Sequence, residues 1–304
     1  MGTLIFDSGL SQKLKSLKIV NIATDCLSCI FNQALKVTKE LGLDDNRSKE
    51  VLDIAASMIP KMSMDLTPPQ NATPMYQKIS KYLKVDDLYK DIKEKSIQKA
   101  KDLEPLAYEI LKNSSDKFIT ATKIAIVGNV IDLASEISFD LSDELKNTMQ
   151  RSFAIDNTNE LHEALKKSKK LVYLADNAGE NIFDKIYIQY LRDEFKDIEI
   201  YYFVRGEPII NDLCLEDLKD DPIHDFATVI DSGVPTPGLV YEMLSESAKE
   251  IFDSADLIIS KGMGNYECLN QAKSHPIFFL LKVKCSVVAN SLNKKIGDII
   301  CKKI

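Results

Sequence analysis

The segment "KLVYLADNAGENIFDKIYIQYLRDEF", Lys170 to Phe195, decides how the second half of the chain is read. "KLVYLA" is a short apolar run of the kind that forms a buried strand. "NIFDKIYIQYLRDEF" has the apolar spacing of an amphipathic helix. Between them stand Asp176, Asn177, Ala178, Gly179 and Glu180. The pattern then recurs. "IEIYYFV", "ATVI", "DLIIS" and "CSVVA" read as further strands, with "EDLKDD", "LVYEMLSESAKEIFDSA" and "NYECLNQA" as the segments between them. Strand alternating with helix predicts an α/β fold over 151–304, a Rossmann-like, mostly parallel sheet of about five or more strands flanked by helices.

Residues 1–150 read as an all-helical part. "DCLSCIFNQALKVTKELG" places Leu27, Ile30, Phe31, Ala34 and Leu35 on one stripe, with Thr24 or Asp25 to cap its start and Gly42 to end it. "NRSKEVLDIAASMIPKM", "MYQKISKYLK", "LYKDIKEKSIQKAKDLEPLAYEILK" and "FITATKIAIVGNVIDLASE" continue in the same period. "LTPPQNATP", with Pro68, Pro69 and Pro74, reads as a break in regular structure. With 304 residues the chain is long enough for both parts to pack as one composite unit.

The net charge of −7 argues against a general nucleic-acid binder, which needs a positive surface. No apolar run approaches the ~20 residues of a membrane span. "MGTLIFDSGL" has no basic region before a long apolar one, so it does not read as a signal peptide, and Phe6 stands where myristoylation favours Ser or Thr. The expectation is a cytoplasmic protein with neither nucleic-acid nor membrane partners. Its six cysteines are then thiols or ligands rather than a disulfide framework.

Parallel sheets bind ligands beyond the carboxyl ends of their strands. "DNAGEN", "RGEPIIND", "DSGVPTPG" and "KGMGNYE" follow successive runs, and Lys282 and Lys284 precede the last one. Asp176, Asn177 and Asp212 offer oxygen ligands for a hard cation that keeps sites open for a phosphate oxygen. Glycines and a helix start near Glu180 suit an anion, and a lysine can neutralise charge that the metal leaves. Such equipment serves phosphoryl transfer by positioning and electrostatics. Each loop alone is equally readable as an Asx turn or a helix cap.

These segments, with "CLSC" and Gln33, "TPP", "DDLYKDIKEKS", "IVGNVIDLA" and "LLKVKCSVVA", are similar in order and spacing to the damage-control phosphatase family, the former domain of unknown function 89. Cys26 and Cys29 resemble its mainly prokaryotic branch. The resemblance implies a metal-dependent phosphatase, a helical part and a Rossmann-like part. It implies Asp176, Asn177 and Asp212 as metal ligands, Lys261 to Tyr266 as a substrate segment and Lys284 as a late lysine. It also implies substrates among small phosphometabolites, including sugar phosphates and damaged cofactor precursors. Met263 and Gly264 replace the Asp-Leu of the eukaryotic pattern.

The expected site therefore has Asp176 and Asp212 in catalysis and Asp176, Asn177 and Asp212 on the metal. Gly179, Glu180, Arg205, Lys261, Gly262, Gly264, Asn265, Tyr266, Lys284 and Asn129 are expected on the substrate. The ion is Mg, Mn, Co or Ni and the partner a small phosphate ester. The attacker is metal-activated water or an aspartate carboxylate.

Cys26 and Cys29, one helical turn apart, with Cys285, are a candidate second metal or redox site. They read equally well as small buried hydrophobes. His162, His224 and His275 have no metal-ligand spacing. Competing classes are a methyltransferase using S-adenosylmethionine, which binds its cofactor without metal, and a thiol-based sensor.

Overall fold

A computed structural model of the chain describes residues 22–131, 141–272 and 274–304. Its sheet has seven strands: β1 Ile155–Asp156, β2 Lys170–Leu174, β3 Glu199–Val204, β4 Thr228–Asp231, β5 Leu257–Lys261, β6 Ile277–Lys282 and β7 Ile299–Lys303. They lie in the order β1-β7-β6-β5-β2-β3-β4. The β6–β7 pair is antiparallel and the other described pairs are parallel.

Both faces of the sheet are covered, which is why the central strands are apolar throughout. Along β2, Leu171 and Tyr173 pack with Leu161 and Leu165 of α7 (Thr158–Leu165), with Tyr187 and Ile188 of α8 (Glu180–Glu194) and with Phe118 and Ala125 of α5 (Lys117–Ile131). Val172 and Leu174 face the opposite core. There they join Phe252 of α9 (Glu246–Asp253), Tyr266 of α10 (Gly262–Leu269) and Val288 of α11 (Ser286–Leu292). Alternation along one strand thus feeds two layers.

Three helices, α1 (Thr24–Glu40), α2 (Asp45–Met58) and α3 (Pro68–Leu83), bury Ile30, Val37, Val51, Ala55, Met75 and Ile79 in a core of their own. Ile209, from the loop after β3, joins it. The helices α4 (Lys90–Asn113) and α6 (Leu141–Gln150) instead pack with α5 on α8, through Ala100, Ala107, Leu145, Phe183 and Ile186. At the α5–α8 crossing a Cβ on Gly128 would lie 2.9 Å from the Glu180 Cα, so the two backbones touch there. Among the described residues no helix is long and apolar enough to cross a membrane.

Several local expectations change. "CSVVA" is not a strand. Cys285 is the N-cap of α11, its Sγ accepting from the Val288 N–H at 3.4 Å. Burial of Val288 and Ala289 outweighs the strand preference of the valines. The strand is the preceding run "IFFLLK". "LTPPQNATP" does not interrupt structure. Thr67 caps α3 in a box with Gln70, and Pro68 opens the helix, where its missing N–H costs nothing. Neither Thr24 nor Asp25 caps α1; Ala23 occupies the N-cap and both lie inside the helix. "EDLKDD" contains only a 3-10 turn, Leu215–Leu218.

The chain runs outward from β2 to β3 and β4, then crosses to β5 on the other side of β2. The carboxyl ends of β2 and β5 therefore flank the point where the winding reverses, where such sheets hold ligands.

Candidate active site

The loop after β3 folds back over the exit of β2. The Leu213 N–H donates to the Asp176 carbonyl at 2.9 Å, and the Ala178 N–H donates to the Asn211 carbonyl at 2.8 Å. Asn177 and Asp212 form an antiparallel bridge. Two segments far apart in sequence thus bring Asp176, Asn177 and Asp212 together. Ile210 makes the turn into this loop with φ of 47°, a conformation that costs a β-branched residue about 1–3 kcal/mol. Arg205 fixes the far side of Asp212. Its Nε donates to Oδ2 at 2.7 Å and its Nη2 to the Asn265 Oδ1 at 3.0 Å.

Gly262 sets the position of Asp176. With φ of +76°, a Cβ there would lie 1.9 Å from the Asp176 Oδ2, so the carboxylate fills the space a side chain would need. Close approach recurs around the rim. A Cβ on Gly206 would meet the Gly233 carbonyl carbon at 2.6 Å, and one on Gly238 the Gly264 oxygen at 2.4 Å.

Beneath the rim lies a buried charge network. Lys261 donates to the Glu180 Oε2 at 2.9 Å and to the Asp184 Oδ1 at 2.6 Å. Tyr173 and Tyr202 donate their hydroxyls to the two oxygens of Asp184. Burial alone would lower the Lys261 pKa, but Asp184 and Glu180 outweigh it and raise it. Glu180 also accepts from the Asn177 Nδ2 at 3.3 Å, which leaves the Asn177 Oδ1 as the acceptor end of that amide. A second network ties α4 to the loop after β3. Lys93 bridges Asp87 at 2.6 Å and Asp217 at 2.8 Å, beside Cys214.

The rim faces α1 and α3 across a cavity of about 530 Å³. Asp176, Asn177, Asp212, Gly264, Lys284, Cys26, Cys29 and Cys285 all line it. Seven expected substrate residues do not. Gly179 backs onto α4, where a Cβ would meet the Ser96 oxygen at 2.9 Å. Glu180 and Lys261 are paired below the floor, and Gly262 meets Asp176. Arg205 is committed to Asp212 and Asn265. Asn265 also accepts from the Leu239 N–H and donates to the Ala175 and Lys261 carbonyls. Tyr266 is edge-on to Phe279 in the core. The Asn129 side chain lies outside the described residues.

Lys284 follows β6 and holds the Met263 Sδ through its N–H, whereas Lys282 pairs with Glu144 on α6. His162 packs against Phe118 and Phe195, and no histidine lines the cavity. Residues assigned no role by the sequence also line it: Lys36, Tyr76, Tyr89 and Glu267. Their only signal was position on an amphipathic helix, or membership of "KGMGNYE", and neither tells which way a side chain faces.

The Asp176 carboxyl is held well above the usual range, first by burial and then by Glu180 and Asp212, against Lys284 and Arg205. Crowded, buried carboxylates of this kind are relieved by a dication. Two carboxylates and an amide oxygen are the hard-oxygen donors that Mg²⁺ or Mn²⁺ takes, so the residues fit the ion. No group of three or more His, Cys, Asp or Glu among the described residues is arranged to hold a metal. Cys26, Cys29 and Cys285 are free thiols on the cavity wall.

Residues 22–300 match the model of the damage-control phosphatase ARMT1-like domain. The chain belongs to this family. A damage-control phosphatase of Pyrococcus horikoshii is 32% identical to it over 284 residues, covering 93% of this chain and 98% of that one. One of Archaeoglobus fulgidus is 30% identical over 291 residues, covering 94% and 100%. The crystal structure of a DUF89 family protein from P. horikoshii superposes with a TM-score of 0.85 at 32% identity, over 93% of this chain and 99% of that one. Kinship to damage-control phosphatases supports a phosphatase role.

Proposed function

We propose that the protein is a divalent-metal-dependent phosphatase acting on small phosphorylated metabolites, sugar phosphates or damaged cofactor precursors. The observation that carries this reading is the meeting of Asp176, Asn177 and Asp212 at the reversal point of the sheet, in one cavity with Lys284. A volume of about 530 Å³ suits a small metabolite rather than a polymer.

Asp176, Asp212 and the Asn177 oxygen would hold the ion. A divalent ion bound there would supply Lewis acidity toward a phosphate oxygen and neutralise its charge. Lys284 adds positive charge from the end of β6. Arg205 and the Asn177–Glu180 bond fix the directions of the donors, so little reorganisation accompanies reaction. The wall built by α1 and α3 limits water and sets which leaving groups fit.

The test is a panel of phosphate esters with Mg²⁺, Mn²⁺, Co²⁺ or Ni²⁺, with Asp176→Ala as control. Phosphate release that needs the metal, stops with chelator and is lost in a folded Asp176→Ala protein is the expected result. Release by that variant at the wild-type rate would sink the reading.

A further inference from the structure

Helix α10 presents Met263, Gly264 and Glu267 to the cavity. Met263 and Glu267 are four residues apart and share a face. At the start of this helix Gly262 meets Asp176, and Met263 accepts the Lys284 N–H at 3.2 Å. Glu267 stands five residues beyond Gly262, about 7.5 Å further along the axis at 1.5 Å per residue. The cavity thus has a phosphate end at Asp176 and Lys284. Glu267 occupies the next station away from it, where the leaving half of an ester lies.

The Glu267 side chain is half-buried and makes no hydrogen bond or ion pair to another protein group among the described residues. The groups that interact with it electrostatically include three thiols, Cys26 on α1, Cys285 at the start of α11 and Cys268 on its own helix, none of which stabilises a carboxylate. Lys36 and Lys284 line the same cavity. Burial pushes the Glu267 carboxyl up to about 8.

Building on the phosphatase reading, we propose that Glu267 is a catalytic acid that donates a proton to the ester oxygen leaving phosphorus. As the phosphorus–oxygen bond breaks, its electron pair stays on the leaving oxygen. The Glu267 O–H bond breaks toward that oxygen, so an alcohol departs and a carboxylate remains. One water is consumed over the full hydrolysis; its hydroxyl ends on phosphorus and its proton restores Glu267.

The experiment compares Glu267→Gln with wild type, both loaded with the best-supporting metal, on two esters. Glycerol phosphate has a leaving group that needs a proton; p-nitrophenyl phosphate has one that does not. The variant is expected to lose about 10²–10⁴-fold in kcat on glycerol phosphate and less than about threefold on p-nitrophenyl phosphate. The alkaline limb of the wild-type kcat profile on glycerol phosphate disappears with it. Infrared difference titration of the metal-free protein gives an independent readout: subtracting the variant, whose Asp176 still contributes a protonated carboxyl, from wild type leaves a band that titrates near about 8. Equal losses on both esters, or none on either, would overturn the acid role while leaving the phosphatase reading standing. A wild type inactive on every ester, despite a normal band, would bring down the phosphatase reading and the acid role with it.

Discussion

At the scale of single residues, the site is set by what is missing as much as by what is present. Gly262→Ala places a methyl where the Asp176 Oδ2 sits and imposes a positive φ on alanine. We expect a folded protein whose kcat falls about 10²-fold, because displacing a reacting group by ~1 Å costs that much. Circular dichroism and steady-state kinetics on one preparation check both halves. Glu267 makes a thermodynamic prediction too. Its native carboxyl keeps a proton above the ordinary 4.5, toward about 8, that the unfolded chain has already released. Stability therefore falls as pH rises across that window. Melting of Glu267→Gln against wild type should show the difference shrinking as pH drops to 4.5; a constant difference contradicts the burial of that carboxyl. Asp176, Asn177 and Asp212 were legible in the sequence because oxygen-bearing side chains directly after buried strands have few other reasons to cluster on one rim. Glu267 was quoted with its loop but given no role, since nothing local says that a helix face will meet another layer.

At the scale of elements, the buried ion network under the rim joins α8 to β5. Lys261→Met removes a fully buried cation and leaves Glu180 and Asp184 uncompensated. A loss of about 3–5 kcal/mol in denaturant unfolding is expected, the usual result of breaking a buried pair on one side. The double variant with Asp184→Asn should recover part of it. Strand-helix alternation from Lys170 to Val204 was readable because both periods are clear there. The run "IFFLLKVKCSVVA" was not. It holds two apolar pieces of similar length, and the β-branched one is the helix because Cys285 caps it and the sheet side buries it. The prolines of "LTPPQNATP" misled for a related reason: proline ends helices but also begins them, and only Thr67 and Gln70 together decide which. Arg205 and Asn265 were expected on the substrate, but both turn inward to hold Asp212 and the backbone, a direction that the sequence does not carry.

At the scale of the whole molecule, the cavity exists only because a separate helical core faces the sheet rim. Cys29 tests that arrangement. It is an exposed thiol on α1 that lines the cavity opposite Asp176. Alkylation of Cys29 with a bulky maleimide should block turnover, inorganic phosphate with metal should slow the modification, and Cys29→Ser should be active and resistant. Mass spectrometry locates the adduct. Unchanged turnover after complete modification would mean that α1 does not bound the substrate space. This layer-to-layer geometry had no counterpart in the sequence, where "CLSC" and "LADNAGEN" lie far apart in the chain and share no period.

The bare backbone contacts Gly206–Gly233 and Gly238–Gly264 have a consequence for motion. Segments that touch main chain to main chain at a glycine, without a side chain between them, cannot slide past one another there without losing that contact. The sheet side of the cavity therefore behaves as a fixed anvil. Movement that opens the cavity is expected on the α1–α3 side, whose core meets the sheet side through Ile209. Hydrogen exchange should show it: amides of the rim loops slow and insensitive to ligand, those at the cavity face of α1 faster and slowed when phosphate and metal are added.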